Sequence, residues 1–223
     1  HARVPPAGGR CAATSEHHAA ALTPSRLALA DAVGTGGHAA MAAHGQEGDS
    51  VVVVGEGAVG LSGVLAASRM GAERVVAMSL HEARQQIARS FGATDVIAER
   101  GEAGEAAVLE LTGGVGADAV LECVGTSQSM NTALAIARPG ATVGYVGVPH
   151  GVELPVRTMF SRNVGVAGGV APVRQYLPAL RDDVLSGVIN PGLVFDLELP
   201  LDQVAEGYAA MDERRAIKTM LRP

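Results

Sequence analysis

The sequence has no Trp and only three Tyr and three Phe in 223 residues, which excludes an aromatic core. Its interior must be filled by Val, Ala, Leu and Ile, residues that pack well between the faces of a parallel sheet. It has two cysteines, Cys11 and Cys123, far apart and with no Cys-x-x-Cys pair. That excludes a disulfide framework and a four-cysteine zinc site within this chain, and it fits a reducing, cytoplasmic setting. Basic charge is in deficit: 23 acidic residues against 17 basic give a net charge of −6, opposite in sign to a nucleic-acid-binding surface, so DNA and RNA are excluded as partners. Long apolar runs are missing as well. The charge-free stretch at residues 57–68 (GAVGLSGVLAAS) is too short and too broken to span a bilayer, so no membrane partner is expected. With 29 Gly and 11 Pro the chain stays below the low-complexity range and should be globular. The opening HARVPPAGGR carries no initiator Met and no signal-type segment, so a part of the protein upstream of it is expected.

What is present is an alternation, from residue 49 onward, of short β-branched runs and helix-length amphipathic segments, the mark of βαβ units around a parallel sheet. Six strands are predicted: 51–55 (VVVVG), 74–79 (RVVAMS), 94–97 (TDVI), 118–124 (DAVLECV), 141–147 (ATVGYVG) and 163–167 (NVGVA). Six is the full doubly wound count, so the expected fold class is α/β with a Rossmann sheet. Ala83, Ile87 and Phe91 recur at i, i+4 and i+8 with Arg84, Gln85 and Arg89 opposite, which predicts an amphipathic helix ending at Gly92. Further helices are predicted over 128–137, closed by a Pro139-Gly140 turn, and over 175–186, with Pro178 tolerated in the first turn. The expected division is 1–25 as a segment returning from another lobe, 26–48 as a connecting helix, 49–190 as the dinucleotide-binding domain and 191–223 as a tail with its own strand and helix.

Gly55-Glu56-Gly57-Ala58-Val59-Gly60 follows the first strand directly and opens a helix, the setting of a dinucleotide-binding turn. Gly55 permits the tight turn, Gly57 lets the backbone approach a pyrophosphate, and Gly60 allows helix and strand to pack closely. The anion then meets the N–H groups of residues such as Ala58 and Val59 at a helix N-terminus. In a chain this rich in Gly the bare pattern arises by chance about half a time, so its strand-to-helix context carries the argument. The looser Gly114-Val115-Gly116 run precedes a strand and is expected to be a turn. About 20 residues past the motif, where an acid normally holds the adenosine ribose, the sequence has Ser79. A carboxylate there would repel a 2′-phosphate, so Ser79, with His81 and Arg84 nearby, favours NADP(H) over NAD(H). Ser79 also begins a Ser-Leu-His-Glu capping box and can instead cap the next helix.

The chain resembles the zinc-dependent medium-chain alcohol dehydrogenases of the threonine and sorbitol dehydrogenase type. The resemblance rests on Asp31-Ala-Val-Gly-Thr-Gly-Gly-His-Ala-Ala40, Phe91-Gly-Ala-Thr-Asp95, Leu121-Glu-Cys-Val-Gly125 and Gly144-Tyr-Val-Gly-Val-Pro149. It implies a Rossmann lobe flanked by terminal segments of a GroES-like catalytic lobe, most of which, with the first zinc ligands and the proton relay, would lie upstream of His1. It implies that Asp31 stands at a zinc-ligand position, that zinc is held only if that upstream lobe is present, and that Thr35 lies against the nicotinamide. Val124 and Gly125 would then line the adenosine side, Gly147 and Val148 the nicotinamide side, and Lys218 would reach the pyrophosphate; from the sequence alone a solvated strand-edge lysine is an equal reading of Lys218. His38 is expected to be structural and Cys123 a buried small hydrophobe.

The activity implied is hydride transfer between a small alcohol or carbonyl substrate and the nicotinamide C4, in an enzyme that assembles as a homodimer or homotetramer. Two rivals follow from the same residues. One is a zinc-free quinone or enoyl reductase, against which Asp31 argues. The other is a non-catalytic dinucleotide-binding module.

Overall fold

The computed structural model describes residues 21–223. Cys11, the His17-His18 pair and most of the expected 1–25 segment lie outside the described residues. A continuous helical stretch opens the description: α1 (Thr23–Ala28), a π-helical segment (Leu29–Val33) and α2 (Gly34–Ala42). The connecting helix predicted over 26–48 therefore starts earlier and ends at Ala42.

The six predicted strands form one sheet: β1 (Ser50–Val54), β2 (Arg74–Met78), β3 (Asp95–Ile97), β4 (Ala117–Glu122), β5 (Ala137–Tyr145) and β6 (Gly165–Gly168). All five pairings are parallel and the order is β3-β2-β1-β4-β5-β6, the doubly wound arrangement expected. The crossover helices are α3 (Ala58–Arg69), α4 (Glu82–Ser90), α5 (Gly101–Leu111), α6 (Ser127–Ile136) and α7 (Val156–Arg162), followed past β6 by α8 (Val173–Leu185). The Val run of β1 explains why two layers of helix are needed, since a strand with no polar face must be covered on both sides. Val51 and Val53 pack into one core with Leu61 and Val64 of α3. Val52 and Val54 pack into a second with Val108 of α5 and Ile136 of α6. Ala119 and Leu121 of β4 belong to the first core and Val120 to the second.

Three boundaries differ from the sequence expectation. β4 stops at Glu122 because Gly125, at φ +90, turns the chain out of the sheet. β5 begins directly after α6: Ala117 pairs with Ala137 and Ala119 with Thr142, so Pro139 and Gly140 sit in a bulge at the strand's start and do not form a separate turn. Because α8 begins at Val173, Pro178 falls inside it, past the first turn, where it removes one i to i−4 hydrogen bond. The tail carries two strands, with β7 (Phe195–Pro200) and β8 (Lys218–Arg222) paired in parallel across α9 (Val204–Asp212). It is tied back to α1 by the buried Ser25 hydroxyl, which donates to Asn190 Oδ1 at 2.8 Å and accepts from the Gly192 N–H at 3.1 Å.

Candidate functional site

The Gly motif forms the tight turn between β1 and α3. Gly55 has φ +126, in the region that favours glycine. A Cβ on Gly60 would stand 2.1 Å from the Gly55 carbonyl oxygen, so only glycine lets α3 start against the end of β1. Gly57 is the helix N-cap, extended at φ −78 and ψ −179, with no side chain capping the first N–H groups. Those groups have no intrahelical acceptor. Among the described residues, apart from its own chain neighbours, no atom lies within 4 Å of a Cβ on Gly57, so no packing among them requires glycine there.

Two other loops meet this turn at the carboxyl edge of the sheet. The Gly55 Cβ position is 3.0 Å from a Val124 methyl group, and the Gly125 position is 2.1 Å from the Val148 carbonyl oxygen. The His150 N–H donates to the Gly125 carbonyl at 3.0 Å. Gly55, Gly57, Gly60, Val124, Gly125, Gly147 and Val148 are thus brought to one place. Beneath them lies Glu122, fully buried. Its Oε1 accepts from the N–H groups of Val124 and Gly125 at 2.9 and 2.8 Å and from the Ser129 hydroxyl at 2.7 Å. Its main-chain carbonyl accepts from the Val146 and Gly147 N–H groups at 2.9 and 3.3 Å. One residue therefore holds both loops, and its Oε2 would lie 2.7 Å from a Cβ on Gly147. An acid inside the apolar run AVLECV is the sequence signal that marks Glu122, because a buried carboxylate calls for donors; its Oε1 has three, while its Oε2 has no hydrogen-bond partner among the described residues.

At the end of β2, Ser79 is 1% exposed and its hydroxyl donates to Glu56 Oε2 at 2.7 Å. It does not cap α4, whose N-cap is His81. Glu56 also accepts from the His81 N–H at 3.0 Å, pairs with His81 Nδ1 at 2.8 Å and accepts from Arg100 at 3.0 Å. Burial pushes its carboxyl up, but the donors from His81 and Ser79 and the His81 charge outweigh that and hold it below its ordinary value. Arg84 is 5% exposed. Its guanidinium turns to the carbonyl oxygens of Glu56 at 3.5 Å, Arg214 at 3.5 Å and Ala216 at 3.2 Å, joining the tail to the Gly motif.

Asp31 lies in the π-helical segment and is mostly exposed, with the Lys218 ammonium 3.7 Å away. The two residues singled out for metal and pyrophosphate face each other. Among the described residues no group of three His, Cys, Asp or Glu side chains could hold a metal ion, so these residues do not make a zinc site. Thr35 is half-buried in the first turn of α2. His38 Nδ1 is 2.9 Å from the Tyr176 hydroxyl of α8, a structural tie.

A cleft of about 70 Å³ opens at the carboxyl ends of the strands between Val54, Gly55, Met78, Arg100, Val124 and Thr126. A larger hollow of about 460 Å³ lies at the opposite end, near Ser50, Arg74, Asp95, Asp118 and Arg138. Its Asp118 is answered by Ser50 and Arg138, and ligands of such sheets gather at the carboxyl ends, so the smaller cleft is the candidate site.

Residues 58–184 match the family described as zinc-binding dehydrogenase. A protein of Mycobacterium tuberculosis named as a probable zinc-binding alcohol dehydrogenase is 37% identical over 206 residues, covering 90% of this chain and 52% of that protein. A zinc-type alcohol dehydrogenase-like protein of Bacillus subtilis is 32% identical over 220 residues, covering 87% and 58%. An alcohol dehydrogenase structure from Thermus superposes with a TM-score of 0.83 at 29% identity, covering 90% of this chain and 58% of that one. The chain thus spans about half the length of the curated relatives it matches.

Proposed function

The chain belongs to the zinc-binding dehydrogenase family, and from that premise we propose that it is the cofactor-binding part of an NAD(P)-dependent alcohol dehydrogenase. The observation that carries this reading is the capless start of α3 at Gly57, where no described residue apart from its chain neighbours comes within 4 Å of the Cβ position. It lies beside two loops fixed by the same buried Glu122. Backbone N–H groups at the start of α3 bind the pyrophosphate, and the helix dipole adds to the attraction. Val124 and Gly125 bound the adenosine side, while Gly147 and Val148 bound the nicotinamide side. Glu122 keeps those two loops at a fixed separation. Arg84 holds the tail, and with it Lys218, near the Gly motif, and Thr35 is assigned to the nicotinamide.

A bound nicotinamide supplies or accepts the hydride, exchanging it with the carbon of a small alcohol or carbonyl compound. Zinc belongs to this reading only through ligands beyond the described residues, to which Asp31 would add one carboxylate. The protein works in the cytoplasm and as a homodimer or homotetramer. NADP(H), favoured by Ser79 in sequence, depends on what surrounds that hydroxyl, and Glu56 is its neighbour. Titration with NADH and NADPH tests the reading through nicotinamide fluorescence, since the chain has no Trp. Saturable binding by the wild type and its loss in Gly57→Ala support the reading; no binding of either dinucleotide sinks it. Alcohol-dependent reduction by the whole protein, measured separately, decides between an enzyme and a binding module.

A further inference from the structure

We infer that Glu56, the second residue of the Gly motif, takes the place of the missing acid on β2 and makes this site prefer NAD(H) over NADP(H). The inference rests on the dinucleotide-binding reading above and reverses the preference that Ser79 suggests on its own. Rossmann sites that take NAD place a carboxylate at the end of the second strand, where it accepts the ribose hydroxyls. Here β2 ends at Met78, and the following residue is Ser79. The side chain of Glu56 crosses from the first loop to that point and is fixed there by the Ser79 hydroxyl and the His81 N–H. The carboxylate therefore sits where an acid from β2 would, delivered by a different strand.

Each group that favoured a 2′-phosphate is already engaged. Ser79 donates to Glu56, the His81 ring pairs with Glu56, and the Arg84 guanidinium lies on three carbonyl oxygens away from solvent. Arg100, which lines the carboxyl-end cleft, is the remaining cation in contact, and it donates to Glu56. A phosphate that recruited Arg100 would strip the buried carboxylate of that guanidinium. It would also bring roughly −1.5 to −2 further charge beside it. Glu82, in the first turn of α4, adds a third negative group nearby. A ribose diol meets the opposite situation: His81 and Arg100 are 42% and 52% exposed, so a hydroxyl can replace either one and donate to Glu56 Oε1. Because Glu56 lies between Gly55 and Gly57, its backbone belongs to the turn that the dinucleotide reading gives to the pyrophosphate.

The test compares dissociation constants for NADH and NADPH, read by nicotinamide fluorescence, in the wild type and in Glu56→Gln. NADH should bind the wild type at least tenfold more tightly, and Glu56→Gln should shrink that ratio at least tenfold by removing the charge while leaving an amide of the same shape. A wild type that binds NADPH as well as or better than NADH overturns the inference, as does a folded Glu56→Gln with an unchanged ratio. Displacement of NADH from the wild type by 5′-AMP and by adenosine 2′,5′-bisphosphate asks the same question without a variant, so the proposal stays testable if Glu56→Gln fails to fold. 5′-AMP should compete at least tenfold better, and equal or better competition by the bisphosphate rejects the inference. Failure of both dinucleotides to bind the wild type would instead overturn the dinucleotide reading, and this inference with it.

Discussion

Cys123, expected to be buried, is half-buried: it follows β4 directly and packs against the first core cluster from its edge, and the burial of its sulfur, aided by the neighbouring Glu122 charge, pushes its thiol far up. Thiolate is the reactive form, so Cys123 should resist iodoacetamide at pH 8 in the native protein and be alkylated in denaturant, as peptide mapping would show. Rapid native labelling would mean that the Cys123 to Gly125 turn opens. Glu56 carries a pH consequence. Its folded-state carboxyl is held below the ordinary 4.5, so its stabilisation is fully present above that value and fades as pH falls through the folded one. The melting-temperature gap between wild type and Glu56→Gln should be widest near neutrality and close as pH drops below about 4.5; a gap independent of pH contradicts this. The behaviour of Glu56 cannot be read from its sequence neighbours, because its partner Ser79 is 23 positions away.

The turn from β1 to α3 separates binding from folding at the scale of an element. Gly57→Ala places its methyl group in open space with an allowed φ of −78, so thermal stability should stay within about 1 kcal/mol of wild type while dinucleotide affinity falls at least tenfold. A large drop in melting temperature would show that Gly57 is structural. Gly60→Ala, 2.1 Å from a carbonyl oxygen, should instead destabilise the protein itself. In β4, Leu121 is fully buried, and Leu121→Ala should cost about 2–5 kcal/mol in urea denaturation. Strand identities were legible because β-branched runs bounded by Gly leave little choice. The bulge that opens β5 was not, since Pro139-Gly140 reads equally as a turn until β4 is seen to pair on both sides of it.

At the scale of the molecule, among the described residues β6 pairs only with β5 and has no strand on its other edge. Phe160 of α7 and Val170 just past β6 are 87% and 99% exposed, a combination that proteins usually cover. Light scattering after gel filtration should give at least twice the monomer mass, and Phe160→Asp should shift it toward monomer without lowering stability. A wild-type monomer would reject the assembly through this edge.

By itself the sequence determined the α/β class, the six strands, the Gly motif and the family likeness, because each of these is written in local periodicity and short spacing. Only the tertiary structure decided what the polar side chains do. It turned Arg84 onto carbonyl oxygens as far as 132 positions away, set Asp31 opposite Lys218, carried Glu56 to the end of β2 and placed Glu122 beneath two loops. The physical reason is that a buried charge must find its donors or acceptors wherever the fold brings them: Glu56 and Arg84 find theirs on elements that the sequence keeps apart, whereas Glu122 takes its side-chain donors from within seven positions and Asp31 meets Lys218 at the exposed surface.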